Sequence, residues 1–297
     1  MLYLKFFGIL LIASLVQWTI IRFFQKKNVF QPIYDLSPQS HQQKQWTPSF
    51  GGVGMLVSLW IAWAIIGYDV FSLKIMWVMG VFSVFSFLGL VDDSLSVLKK
   101  KNQGFTSRQK FLCQWILAIV SLIVYSVFLS PLSVITIILY AFVMVGASNA
   151  TNLTDGLDGL LASCSIVTCI GFYLIGNDEI KLFCILLIII LISFLLFNRY
   201  PAKIFMGDTG SLGLGALFAG LAIVYENVWV LISLGAVYVI ETVSVLIQVA
   251  YFKKTKQRIF LMAPLHHHFE LLGLSEPAIV RLFVILSGIG ICGFFVL

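Results

Sequence analysis

The sequence predicts an all-α polytopic membrane protein with about ten transmembrane helices, on three observations. Of 297 residues, 60% are hydrophobic and only 11% charged, where a soluble domain carries about 45–50% and about 25%. Mean hydropathy is +1.01. Apolar runs such as Cys184–Phe197 show no polar alternation, which favours helices over barrel strands. A soluble globule, a disordered chain and a disulfide-stapled module are thereby excluded. Ten spans of about 20 residues use roughly 200 positions, so one integral membrane domain over 1–297 is expected, with loops and no sizeable soluble domain.

The apolar stretches run over 2–24, 51–67, 74–91, 111–129, 131–148, 160–176, 180–197, 211–224, 228–251 and 279–297. The first is too long for a signal peptide and lacks a small-residue cleavage site, so it reads as a span. Pro131 separates the fourth from the fifth. Alternating the loops puts Arg22, Lys26, Lys27, Lys44, Lys99, Lys100, Lys101, Arg108, Lys110, Arg199, Lys203, Lys253, Lys254, Lys256, Arg258 and Arg281 on one side, and only Lys5, Lys74 and Lys181 on the other. The positive-inside rule then places both termini outside and the five longer loops in the cytoplasm. This asymmetry and anionic lipid account for the net charge of +6 without a nucleic-acid partner. Cys113, Cys164, Cys169, Cys184 and Cys292 fall within apolar stretches without metal-ligand spacing and read as buried small hydrophobes. No internal repeat of the transporter kind is legible.

Asp69, Asp178, Glu179 and Glu226, on the short external loops, read as solvated caps. The unusual polar chemistry lies on the cytoplasmic side, which suits a membrane enzyme with a cytosolic substrate better than a channel or transporter. Asp92-Asp93 ends the third span; adjacent carboxylates there repel unless they share a cation or proton. In Asn149-Ala-Thr-Asn-Leu-Thr-Asp-Gly-Leu-Asp-Gly159, a helical turn would put Asp155 and Asp158 on one face. Asn149, Asn152 and Thr154 add donors and acceptors for a sugar or base edge; a capped loop needs one such residue, not five. Asn198-Arg-Tyr-Pro-Ala-Lys-Ile-Phe-Met-Gly-Asp-Thr-Gly-Ser211 leads into a helix expected near Ser211. An Asp or Ser cap is its ordinary role, but Gly207 to Ser211 before a helix also suits phosphate. Phe205 can stack on a base, and Asp208 is a hard oxygen ligand for Mg²⁺. Glu241, alone in the ninth stretch, reads as fixing helix packing or a break. In Pro264-Leu-His-His-His-Phe-Glu270, three consecutive histidines cannot share one helical face, so they suit phosphate contacts and proton transfer rather than a zinc triad. Together these residues suit a nucleotide diphosphate, a divalent cation and a lipid co-substrate.

At Ser40–Lys44, Thr47-Pro-Ser-Phe-Gly-Gly52, Asp92-Asp93, Asn149–Gly159, Phe205–Ser211 and Glu241–Gly273, the chain resembles the phospho-N-acetylmuramoyl-pentapeptide transferases, a group of polyprenyl-phosphate hexosamine-1-phosphate transferases. The triple histidine is the most specific match. The resemblance implies ten spans, a homodimer, Mg²⁺ dependence and a bacterial cytoplasmic membrane. It also implies the reaction of UDP-MurNAc-pentapeptide with undecaprenyl phosphate to give lipid I and UMP. By the same resemblance, Asp208 matches the Mg²⁺ aspartate and Asp92 and Asp93 the catalytic pair. His266 and His267 lie near the diphosphate with His268 beside them. Lys44, Asn152, Asp155, Asp158, Asn198 and Phe205 match nucleotide-pocket positions, with Phe205 under the uracil; Ser49, Asn149, Gly207 and His268 are expected as further substrate-binding residues. Several positions depart from the family pattern: Ser96 stands where lysine is usual, with Lys100 one turn on as its substitute, Trp46 replaces a glycine, and Ser49-Phe50 replaces Thr-Met while keeping the hydroxyl. Three rival readings remain: a transferase using UDP-N-acetylhexosamine, an ion-coupled transporter using Asp92, Asp93 and Glu241, and a non-catalytic lipid-binding scaffold, to which Ser96 lends some weight.

Overall fold

The computed structural model describes residues 2–27, 29–30, 47–66, 71–99 and 104–296. Lys44 and Lys100, expected to bind substrate, lie outside them, as do Trp46 and Asp69. The described residues form helices without strands: α1 (Leu2–Lys26), α2 (Gly51–Ile66), α3 (Leu73–Lys99), α4 (Ser107–Phe128), α5 (Val134–Thr154), α6 (Leu160–Ile175), α7 (Asp178–Asn198), α8 (Gly207–Val224), α9 (Val230–Leu234), α10 (Ala236–Thr255), α11 (Leu265–Leu271) and α12 (Glu276–Val296). Eight are long and apolar enough to cross a membrane. The second and sixth stretches form α2 and α6, 16 residues each and about 24 Å long at the helical rise, short of the roughly 30 Å hydrocarbon core.

Each apolar stretch corresponds to a helix, with three differences. The third does not end at Asp92-Asp93: α3 continues to Lys99, because Ser94–Lys99 remains a good helix former and Lys99 donates to the Gly104 carbonyl (2.6 Å). The eighth begins at Gly207 rather than near Ser211. The ninth is broken at Gly235, where α9 hands over to α10.

At the centre lies α8, packed against α2, α3 and α5. All its residues except Asp208 and Val224 are buried. Its small residues let neighbouring helices approach closely, the usual basis of helix association in lipid. Against it, Gly89 of α3 faces the Asp208–Thr209 backbone with no room for a Cβ. Cys164, Cys169 and Cys184 are buried as expected, whereas Cys292 is exposed on the outer face of α12.

Polar contacts sort the helix ends into two groups. At one end Lys5 donates to the Ile66 carbonyl (3.2 Å), Lys74 pairs with Glu226 (3.3 Å), and Glu179 accepts from the Ser72 N–H. Glu179 and Glu226, expected as solvated caps, thus also tie short loops together. The opposite end gathers the carboxylates, asparagines and histidines, and α2, α4, α6, α8 and α12 begin there. Their positive dipole ends favour an anionic ligand.

Candidate active site

The site is built around the first turn of α8. Gly207, with φ of 72°, turns the chain into the helix, and a side chain there would strike Asp93 and Ser49. No local side chain caps the helix. Asp93 of α3 does so instead, accepting from the N–H groups of Asp208 (3.0 Å) and Thr209 (3.0 Å) and from the Thr209 hydroxyl (2.6 Å). A carboxylate at a helix N-terminus is favourable on both hydrogen-bond and dipole grounds. Asp93 therefore anchors the turn that carries Asp208.

Asp92 faces a different set of partners. Its Oδ1 accepts from the Phe105 N–H, and its Oδ2 lies 3.3 Å from Lys110 Nζ. The same ammonium pairs with Asp208 Oδ2. Asp208 Oδ1 accepts from Asn152 Nδ2 (2.7 Å), which also donates to the Ser211 hydroxyl (2.9 Å). Asp92, Lys110, Asn152 and Asp208, from α3, α4, α5 and α8, thus form one cluster. Lys110 was legible only as one basic residue among many. Its signal was position: it follows the capping box of Thr106 and Gln109, at the edge of an apolar stretch.

Beside the cluster, Ser107, Arg108, Lys110, Phe111, Asn149 and Asn152 line a cleft of about 470 Å³. Asn149 is held by Gln114, donating to its Oε1 at 2.6 Å. Asp155 does not share a helical face with Asp158, because α5 stops at Thr154 and residues 155–159 turn. The Asp155 carboxyl is pushed well above the usual range, first by burial and then by Asp208, Asp93 and Asp158. Asp158 points elsewhere: its Oδ2 accepts from the Ala202 N–H (2.9 Å), and its own N–H donates to Glu276 (3.2 Å). Asn198 accepts from the Gly159 N–H (3.0 Å) and donates to the Ile204 carbonyl (2.8 Å). Both buried residues join the 155–159 turn to the segment that carries Phe205.

That segment is braced from the other side. The Phe205 N–H donates to the Pro48 carbonyl (2.9 Å), and Phe205 and Met206 carbonyls accept from Gly51 and Gly52 (2.9 Å each). Ser49, buried next to Gly207, has no hydrogen-bond partner for its hydroxyl among the described residues. Gln17, fully buried in α1, donates to the Gly51 carbonyl (3.1 Å), a support that the apolar reading of the first span passed over.

The three histidines diverge, as their spacing requires. His266 is buried, with its N–H and Nδ1 each 3.2 Å from a Glu241 carboxylate oxygen. His267 Nδ1 lies 3.1 Å from Glu270, and His268 Nδ1 accepts from the Leu261 N–H (3.2 Å). Burial pushes the His266 imidazole below its ordinary value against the opposing pull of Glu241. The neutral ring donates through Nδ1 and leaves Nε2 as an acceptor beside Gly156. Glu241 thus fixes packing, as expected, and its object is a histidine.

Among the described residues, no three acids, histidines or cysteines converge as a metal cluster. Mg²⁺ does not need one, because it commonly takes one or two carboxylates together with waters and substrate phosphates. Asp92 and Asp208 already share one positive charge, that of Lys110. Their hard oxygens fit such a substrate-borne cation.

Residues 75–226 match the family model described as glycosyl transferase family 4. Similar curated proteins bear the name phospho-N-acetylmuramoyl-pentapeptide-transferase. The one from Staphylococcus saprophyticus subsp. saprophyticus is 42% identical, with 95% of each chain covered. The Staphylococcus epidermidis protein is 42% identical over 92% of each chain, and that of Staphylococcus aureus 44% identical over 85%. With the family model spanning the helices that build the cluster, and relatives matching along nearly their whole length, the chain belongs to glycosyl transferase family 4 and, within it, to the phospho-N-acetylmuramoyl-pentapeptide-transferases.

Proposed function

We propose that this membrane enzyme transfers phospho-MurNAc-pentapeptide from UDP-MurNAc-pentapeptide to undecaprenyl phosphate, giving lipid I and UMP. The observation that carries the proposal is the Asp92–Lys110–Asp208–Asn152 cluster beside a polar cleft at one end of the bundle. In the reaction a lipid phosphate oxygen attacks the β-phosphorus. The bond to the bridging oxygen breaks, and UMP leaves with that oxygen. A phosphate monoester with a second pKa near 6 is already mostly dianionic at neutral pH, so orientation and charge neutralisation matter more than a strong base.

Lys110 and Arg108 line the cleft as cations for the diphosphate. Asn152 orients Asp208, and Asp93 holds the turn beneath it. Asp208 and Asp92 would hold a Mg²⁺ ion, which would supply neutralisation of the diphosphate charge. His266 presents an acceptor nitrogen near the 155–159 turn, with Glu241 fixing its tautomer. By family resemblance Phe205 stacks on the uracil and Lys44 belongs to the nucleotide pocket, while Lys100 is the sequence's candidate substitute for the lysine that Ser96 replaces.

An apolar cleft of about 310 Å³, reaching from exposed Phe142, Trp229 and Val239 to Ala150 and Thr151, the residues just before Asn152, suits the prenyl chain. The active-site end faces the cytoplasm of a bacterial cell, both termini lie outside, ten segments span the membrane, and the functional unit is a homodimer. Membranes containing the chain, supplied with undecaprenyl phosphate and each UDP-sugar in turn, are expected to release UMP only with UDP-MurNAc-pentapeptide. Turnover confined to UDP-N-acetylglucosamine would instead assign the chain to the hexosamine branch. A gradient-driven flux surviving Asp208→Asn would point to transport.

A further inference from the structure

The segment from Tyr251 to Leu261 forms a hairpin at the active-site end. Helix α10 runs to Thr255, and Lys256, with φ of 60°, turns the chain back. The return segment is fastened rather than loose. Gln248 Oε1 accepts from the N–H groups of Ile259 (3.1 Å) and Phe260 (3.0 Å), and its Nε2 donates to the Phe260 carbonyl (3.2 Å). The Leu261 N–H is held by His268.

Lys253, Lys254, Lys256 and Arg258 are all exposed on this hairpin, and no acid lies between Glu241 and Glu270 in the sequence. Tyr251, Phe252, Ile259 and Leu261 flank the cations and are exposed too. Below them α10 shows an outward face of Val239, Val243, Leu246 and Ile247, which a bilayer must cover. Cations on a fixed turn, with aromatic and aliphatic side chains at the level where the helix leaves the bilayer, have the composition of an interfacial lipid anchor. Polybasic segments at a membrane surface are drawn to anionic headgroups.

We propose that this hairpin is a docking surface for anionic phospholipid headgroups, and that their binding braces the histidine segment through the Leu261–His268 bond. The proposal requires that the chain span a membrane and is independent of which sugar it transfers. Its test compares the full-length protein with a Lys253→Gln, Lys254→Gln, Lys256→Asn variant and with the charge-retaining Lys253→Arg, Lys254→Arg, Lys256→Arg variant. Retention of added phosphatidylglycerol or phosphatidylcholine is read by native mass spectrometry in a neutral detergent. The neutralised variant is expected to bind phosphatidylglycerol about tenfold more weakly, with phosphatidylcholine unaffected and the arginine variant like wild type.

Undiminished phosphatidylglycerol retention would overturn the proposal, as would equal loss of both lipids. A raised KM for undecaprenyl phosphate with phosphatidylglycerol retention intact would also overturn it, assigning the cations to the substrate lipid. If the neutralised variant cannot be recovered folded, the wild type decides. Its phosphatidylglycerol retention must fall as salt is raised, and salt-insensitive retention contradicts the proposal. Absence of UMP release would leave this readout intact.

Discussion

Lys110 stands between two carboxylates, so removing its charge leaves Asp92 and Asp208 facing each other without compensation. Lys110→Met is expected to lower UMP release by about 10²–10³ and to destabilise the chain by about 3–5 kcal/mol, read by initial rates and thermal melting. Wild-type values of both would refute the bridging role. Asp155 tests the same acidic end in the opposite direction. Its folded pKa is raised above the unfolded value, so its contribution to stability is fully present below the unfolded pKa and is lost as pH rises through the folded one. Asp155→Asn should therefore raise Tm at neutral and alkaline pH, with little change in acid, while lowering turnover; a Tm difference that is constant with pH argues against that origin. Asp208, Asp92 and Asn152 were legible in the sequence because acids and amides are conspicuous at the edge of apolar runs. Lys110 was not, since a lysine at the end of an apolar helix is ordinary until a fold places carboxylates around it. For the same reason the sequence could not separate Asp92, which shares Lys110, from Asp93, which caps α8.

At the scale of elements, hydropathy located the helices but not the limits that matter to the site. Helix α3 runs past the carboxylate pair because amphipathic residues after an apolar run continue a helix as readily as they end one. The start of α8 at Gly207 depends on a cap from another helix, which local sequence does not encode. The contact between α3 and α8 gives a sharp test. A Cβ at Gly89 would collide with the Asp208–Thr209 backbone, so Gly89→Ala must separate the two helices or shift the turn. The expected cost is about 1–3 kcal/mol, with UMP release reduced tenfold or more because Asp208 moves relative to Lys110. Unchanged rate and Tm would show that this close approach does not set the site. Gly80, on the same helix but with nothing near its Cβ position, provides the control, and Gly80→Ala should be nearly silent.

For the whole molecule, the two-ended sorting of contacts makes orientation testable. In a chain whose five native cysteines are replaced by alanine, Ser130→Cys, between α4 and α5, should react with a membrane-impermeant thiol reagent added to intact cells. Gln257→Cys, on the basic hairpin, should react only after permeabilisation; the reverse pattern would invert the topology. The scarcity of charge that made the chain legible as a membrane protein also confined its chemistry to one end. There, four helices bring Asp92, Lys110, Asn152 and Asp208 to the polar cleft. The most direct test of that claim compares purified wild type with Asp208→Asn, both supplied with UDP-MurNAc-pentapeptide and undecaprenyl phosphate. The wild type is predicted to release UMP and form the lipid-linked product in equal amounts, and the folded variant to do so about 10²–10³ more slowly. A folded Asp208→Asn protein that releases UMP at the wild-type rate would contradict the account.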